Sequence, residues 1–410
     1  MNQLLFAKGG DVTSRQAVKD FAVEFRQALL DRAAAARAGG GESLFADACA
    51  SLDAAINMHR NMVGRLAGLN EEISTITAPG LKEETASFYA DLYRHFGLFR
   101  SAAIFYQSSM AYLQRVSAAI MTQSAAEIGL FARHLPEMAL IAVGPAGRCE
   151  YSPHCRLQLL LVHAEVPAAQ LQTINLFCHS LHNGFEAAGI ALDPDVTPRN
   201  SAWRGTLAEW QERCTSGLHS QGEEEMINLC RLIDLHPLHP DDGYAMELKR
   251  ISSATLIGNR SALANLIARM TSLTNGLGIM GGFKLERIGN ERGVFRLLDH
   301  GLLPLSAALS ALALIKKSPA TGSCDRVHDL LNRGEFDVDM AERMLASWHS
   351  LHGLRLLLEL SFGSEEPAGR TLCLNPDALS AEQRHSLKES LESVAIIQRH
   401  VDIIFSGMVE

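Results

Sequence analysis

Apolar residues recur at helical spacing along most of the chain and give way in a few places to short unbroken runs. Thr13 or Ser14 can cap a first helix, after which Val18, Phe21, Val23, Phe25 and Leu29 keep the spacing. The segment GGGES (39–43) reads as a loop, and a second helical stretch covers 44–69. Thr77, Pro79 and Gly80 mark a break. The pattern then continues over 83–127 as two helices split near Gly97. No β-branched run interrupts it, so residues 1–134 are expected to form an N-terminal helical bundle.

The pattern changes at Pro136. MALIAVG (138–144) and the apolar run 157–163 have the length of buried strands, joined by a turn-rich connection. Residues 166–188 read as a helix, 190–192 as the start of a further strand and 201–214 as a helix. NLCRLIDL (228–235) reads as another buried strand, closed by Pro237. Strands alternating with helices predict a small mixed α/β domain over 135–245.

Helical spacing returns beyond it. One helix is expected over 252–274, stopped at Asn275 and Gly276. GIMGGFKLERIGNERGVFRLLDHG (278–301) predicts a two-stranded hairpin turning at IGNERG. Helices follow over 304–316, 323–332, 338–362 and 380–408, the last opened by a Ser380–Gln383 capping box. Residues 246–410 are therefore expected to be a helical domain. The fold class is α+β, mostly α.

Composition narrows the classes. With 410 residues, 47% hydrophobic and 20% charged, the chain is long and apolar enough for two or three packed domains. A net charge of −9 excludes a general nucleic-acid binder. The eight cysteines form no CxxC pair and read as reduced thiols. The opening MNQLLFAKGGDVTSRQ is too short an apolar run for a signal peptide, and nothing approaches roughly 18 uninterrupted apolar residues. A cytoplasmic protein with no membrane segment is expected. Its apolar-rich terminal helices are compatible with a homodimer.

GPAGRCEYSPHCRLQLLLV (144–162) resembles the signature of bacterial nucleotidyltransferase-like proteins related to the PII uridylyltransferase. That signature is Gly-Ser-x-Gly-Arg-x-Glu, a spacer, then Ser/Thr-Asp-x-Asp and an apolar strand. This chain matches it at Gly144, Gly147, Arg148, Glu150 and the run 159–162. Arg199, Asn200 and Trp203 are similar to the family's Arg-Asn-x-x-Trp segment. LIDLHP (232–237) resembles its Asp-Leu-Arg strand, with His236 in place of Arg. GGFKLERIGNERGVFRLLDHGLLPL (281–305) resembles the opening of its helical substrate-binding domain. Relatives often carry CBS or cyclic-nucleotide-binding sensor domains at the N-terminus, and this chain shows neither pattern there.

The resemblance implies Mg²⁺-dependent nucleotidyl transfer, which needs metal to neutralise a triphosphate and activate a hydroxyl. Two carboxylates at i and i+2 of one strand share a face and can hold that metal. Here those positions are Arg156 and Gln158, and a third, Asp234, is retained. Arginine has no acceptor for Mg²⁺. The phosphate-loop serine is replaced by Pro145, which also lacks an N–H. The reading is a degenerate member, a pseudoenzyme acting in intracellular signalling by binding a nucleotide or a regulatory protein partner. No cofactor is expected, with Mg²⁺ only if activity survives. The alternatives are catalysis through substitute carboxylates, Glu150, Asp193 or Asp195, and a scaffold with a vestigial cleft.

Bland roles compete at each position. Arg148 and Glu150, expected to bind nucleotide, would also serve as an ion pair clamping the loop. An Arg156–Asp234 salt bridge would fill the space left by the metal. Arg199, Asn200 and Trp203, expected to touch substrate or partner, would also start a helix and bury an indole. Lys284, Arg287, Arg292 and Arg296 form a basic cluster that suits a phosphate or an acidic partner, or else a charged edge that discourages aggregation. The spacing of Cys149, His154 and Cys155 fits no zinc pattern, and His236, His239, Asp241 and Asp242 read as a solvated loop.

Overall fold

The computed structural model describes residues 78–129, 135–220, 222–239, 243–278, 281–286, 292–362 and 372–409. The helices expected over 13–29 and 44–69, and Arg287, Asp241 and Asp242, lie outside the described residues. Two long helices come first, α1 (Ala78–Phe99) and α2 (Ala102–Glu127). They are separated near the expected break, where Ser101 caps α2 by accepting from the Ile104 N–H.

A four-stranded sheet follows, built from β1 (Met138–Val143), β2 (Gln158–His163), β3 (Arg204–Gly205) and β4 (His236–His239) in the order β3-β2-β1-β4. β1 and β2 are antiparallel from Met138↔His163 to Val143↔Gln158. β4 runs antiparallel to β1 with an irregularity at Leu140/Ile141, and β3 runs parallel to β2. All six residues of β1 are buried. Alternate strand residues face opposite ways, so both faces of the sheet are covered. The cover comes from α2, α4 (Leu207–Ser220) and α6 (Gly243–Gly258), and α3 (Ala168–Ala187) packs on α1 and α2.

Four expectations about elements are corrected. Residues 228–235 are not a strand: α5 (Glu223–Arg231) ends there, and the strand is β4, closed around Pro237 instead of before it. A short apolar run reads equally well as a helix end or a strand, and Glu223, Glu224 and Glu225 in the first turn stabilise the helix. Residues 252–274 are not one helix. α6 ends at Gly258, and Asn259 caps α7 (Arg260–Thr271) by accepting from the Ala262 N–H at 3.1 Å. The expected hairpin strands do not form one sheet. Glu286 exchanges backbone bonds with Val294 and Gly293, but the strand β5 (Phe295–Arg296) pairs with a distant segment, β6 (Cys373–Leu374). The 201–214 helix is also broken, into a 3₁₀ turn at Ser201–Trp203, β3 and α4.

The C-terminal helices are α8 (Leu303–Ile315), α9 (Ser323–Asn332), α10 (Val338–Ser361) and α11 (Ala381–Val409). α8 is almost wholly buried and packs on α7, α9 and α11. It is preceded by a π-helical turn, Leu298–Leu302. The stretch Leu298–Ile315 is long and apolar enough to cross a membrane, but 78% of it is buried inside the molecule, as in a core helix. The capping box forms as expected: Ser380 N–H donates to Gln383 Oε1 at 3.0 Å, and Gln383 N–H to Ser380 Oγ at 3.1 Å. α10 reaches across to α1 and α2, so the helical layer closes over the end of the sheet where β1 meets β2.

Candidate functional site

β1 runs directly into a helical turn, Gly144–Gly147. Gly144 has φ +60° and lies against the Gln158 amide, so a side chain here would be strained and would collide. A Cβ on Gly147 would run into the Asp234 carbonyl. Both glycines are thus demanded by close packing of this turn on β2 and on the Asp234 backbone. The turn is closed by Arg148 N–H to Gly144 O at 3.0 Å and Glu150 N–H to Pro145 O at 2.8 Å. Cys149 takes the left-handed conformation, φ +60°, which reverses the chain and carries Glu150 into the interior.

Asp234 sits just before β4, and its carboxylate is fully engaged. Arg148 NH1 donates to Oδ2 at 2.9 Å, while Arg326 NH1 and Ser310 Oγ donate to Oδ1 at 2.7 and 2.8 Å. The expected Arg156–Asp234 bridge is not present. Arg156 is exposed and donates to Leu192 O at 3.2 Å, and two other guanidinium groups hold Asp234. Arg326 comes from α9 and is buried to 1% exposure. Its remaining donors go to Ala320 O, Ile233 O and Ser310 Oγ. A buried guanidinium is tolerable only when paired and hydrogen-bonded in this way.

Glu150 anchors the helical layer. Arg148 Nε donates to its Oε2 at 3.0 Å, and Ser323 Oγ and Trp348 Nε1 donate to Oε1 at 2.6 and 2.9 Å. Burial alone would raise the Glu150 pKa, but Arg148, His352, Ser323 and Trp348 together pull it down to about 2. Burial pushes the neighbouring His352 down to about 3, against the pull of Glu150. Its Nδ1 lies 3.0 Å from the Tyr106 hydroxyl. One helical turn on, Arg355 binds Glu359 at 2.8 Å and Ser152 Oγ at 2.7 Å, and Tyr93 OH donates to Glu359 at 2.8 Å. The motif loop, α1, α9 and α10 are thereby joined by buried polar bonds.

These residues do not fit a divalent metal. Asp234 already receives three donors, Arg156 is a cation, and Gln158 donates its amide to Asp193 Oδ2 at 2.9 Å. The substitute carboxylates Asp193 and Glu150 are also engaged. Asp193 Oδ1 accepts from the Asp195 and Val196 N–H groups, and Glu150 is buried behind Arg148. Asp195 is exposed and does not line the cleft. Among the described residues, no three His, Cys, Asp or Glu side chains converge as a metal would require.

A cleft of about 770 Å³ opens between the sheet and the helical layer. It brings together Gly144, Arg148, Glu150, Arg156, Gln158 and Asp234 from the motif. Arg199, Asn200 and Trp203 lie outside it. Asn200 caps the 3₁₀ turn through the Ala202 N–H and donates to Asp195 O, and Trp203 is buried against Trp210. Lys284 is exposed away from the cleft, and Arg296 pairs with Asp299 at 2.8 Å. His154 stacks edge-on with Tyr93 and Phe362, and His236 Nδ1 lies 3.4 Å from Cys149 Sγ and 3.2 Å from Thr321 Oγ1.

Sequence reasoning missed the helical-layer half of this site: Ser310, Ser323, Arg326, Trp348, His352, Arg355 and Glu359. Arg355 and Glu359, an i, i+4 pair inside an otherwise apolar turn of α10, carried the one readable signal. Arg231 and Arg269, which also line the cleft, carried none.

Two family models match the chain. Residues 100–224 match the family described as "Putative nucleotidyltransferase DUF294", and residues 260–405 match the "Putative nucleotidyltransferase substrate binding domain". No curated protein matches it. Both matched segments contribute to the lining of the cleft, with Met226, Ile227, Cys230, Arg231 and Asp234 supplied by the stretch between them, and the chain belongs to this nucleotidyltransferase-like family.

Proposed function

We propose that this protein binds a nucleotide without a divalent metal and serves as a non-catalytic, regulatory component of intracellular signalling. The state of Asp234 carries the reading. The one carboxylate left at the family's metal positions is held by Arg148, Arg326 and Ser310, beside Arg156 and Gln158. Nucleotidyl transfer through Mg²⁺ would require breaking a buried network that also joins the two walls of the cleft.

The same cleft retains what a nucleotide needs. Arg156, Arg231 and Arg269 line it, and none of them forms an ion pair among the described residues. Met226, Ile227, Met270, Leu298, Leu302 and Leu303 provide an apolar surface for a base. Arginine is a permanent cation suited to phosphate oxygens, so it can supply the positive charge the metal would bring.

Isothermal titration with ATP, UTP, CTP and GTP, each with Mg²⁺ and with EDTA, tests this. Binding of at least one nucleotide to a similar extent in both conditions is expected. Binding that appears only with Mg²⁺ would sink the reading in favour of an active transferase using Asp193. Absence of binding in all eight titrations would leave a scaffold.

A further inference from the structure

Two cysteines line the cleft, Cys155 and Cys230, and their surroundings are opposite in kind. Cys230 lies on α5. Burial, and after it the Asp234 charge, pushes its thiol up to about 12, so it stays protonated and inert. Burial acts in the same way on Cys149 and Cys178, each pushed up to about 12, and on Cys214, pushed up to about 11.

Cys155 is presented by the motif loop. Ser152, Pro153, His154 and Cys155 close as a turn, with the Cys155 N–H donating to Ser152 O at 2.9 Å and Pro153 at the position its fixed φ suits. His154, in the middle of the turn, is held edge-on by Tyr93 and Phe362. Cys155 is half-buried, and its sulfur accepts from NH2 of Arg355 on α10. That guanidinium is 4% exposed and anchored on every side. Its Nε donates to Glu359 at 2.8 Å, NH1 to Glu150 O at 3.3 Å and NH2 to Ser152 Oγ at 2.7 Å. Arginine stays charged, and a fixed cation against a partly accessible sulfur is the environment in which a thiol acts as a nucleophile.

The face of α10 that carries Arg355 holds a second feature. His352, three residues earlier, lines the same cleft and is 1% exposed. Its Nε2 has no hydrogen-bond partner among the described residues, and Glu150 Oε1 stands 3.6 Å from it, beyond hydrogen-bond reach. A buried polar atom left open on a cleft wall is satisfied when a small polar molecule enters.

We propose that Cys155 is a redox modification site, at which hydrogen peroxide entering the cleft oxidises the thiol to a sulfenic acid. The sulfur attacks one peroxide oxygen, and the S–O bond forms as the O–O bond breaks. The departing hydroxide takes up the proton given up by the thiol and leaves as water. Sulfur loses two electrons and the peroxide gains them, so no other reactant is required. Arg355 stabilises the negative charge on the sulfur before attack. The assignment is independent of the nucleotide-binding reading and survives its failure.

The test treats the reduced full chain with hydrogen peroxide in the presence of dimedone, which traps sulfenic acids, and locates the label by peptide mass spectrometry. Cys155 is expected to label about tenfold or more faster than Cys230. Both thiols belong to one molecule, so this ratio needs no variant to fold. Arg355→Gln should lower the ratio, and Cys155→Ser should leave the cleft without a fast-labelling position. Equal rates at Cys155 and Cys230, or labelling of Cys155 only after unfolding in urea, would overturn the assignment. An unchanged ratio in folded Arg355→Gln protein would overturn the role given to Arg355.

Discussion

Arg326 shows what one side chain contributes to this site. It lies 92 residues from Asp234 in sequence and is nearly inaccessible, yet four of its interactions converge around that carboxylate. Arg326→Ala would leave Asp234 with two of its three donors and open a void. A loss of about 3–5 kcal/mol in urea unfolding is expected, the range for breaking one side of a buried pair. If the loss is under about 1 kcal/mol, the network is not holding the walls together. Gly147→Ala tests the motif loop in the same way. Its Cβ has no room beside the Asp234 carbonyl, so the turn or β4 must shift, and the melting temperature should fall by several degrees. These two residues also mark the limits of reading a sequence. The glycine was visible as part of a motif. The arginine looked like any other charge on an amphipathic helix, because its partner is supplied by a different part of the chain.

At the scale of the element, caps and periodicity made the long helices legible. Residues 323–332 and 338–361 follow the apolar spacing closely, and the Ser380–Gln383 box begins α11 as its chemistry dictates. The short elements were not legible. Residues 228–235 carry the same apolar run whether they end a helix or enter a sheet, and β5 finds its partner at Cys373–Leu374 and not across its own turn. Two substitutions probe the helices directly. Asn259→Ala removes the side-chain cap of α7 and should cost about 1 kcal/mol in chemical unfolding. Gly353 lies within α10 with open space where a Cβ would stand. Gly353→Ala should therefore stabilise by about 0.5–1 kcal/mol, and a destabilised variant would refute the packing described for that face.

At the scale of the whole molecule, the two walls are joined by buried titratable groups, which makes stability depend on pH. His352 is held neutral, its pKa lowered from 6.5 to about 3 chiefly by burial. The unfolded chain takes up that proton more readily, so this contribution is present above about pH 6.5 and is lost as pH falls toward 3. Glu150 is lowered from 4.5 to about 2 by its donors, against the effect of burial. Its contribution is present above pH 4.5 and is lost as pH falls toward 2. Both act in the same direction, so unfolding free energy should be flat above pH 7 with respect to these groups and fall below it. The slope is up to about 1.4 kcal/mol per pH unit for each group while it titrates. His352→Gln should flatten the segment between pH 6 and 4.5, where Glu150 is not yet titrating. An unchanged slope there would show that His352 is not the group responsible.

The sequence by itself determined the helical class, the long helices, the glycine-rich turn after a buried strand, and the presence of Arg156 and Gln158, which are not carboxylates, at alternate positions where the second strand begins. These follow from local periodicity, from steric demands on single residues and from the chemistry of a side chain, none of which needs a distant partner. Only the tertiary structure decided where the charges go. It placed Arg148 and Arg326 on Asp234 and put Arg156 and Arg269 on the wall of the cleft. A buried charge must find its counter-charge wherever packing brings one, and no spacing along the chain records that meeting.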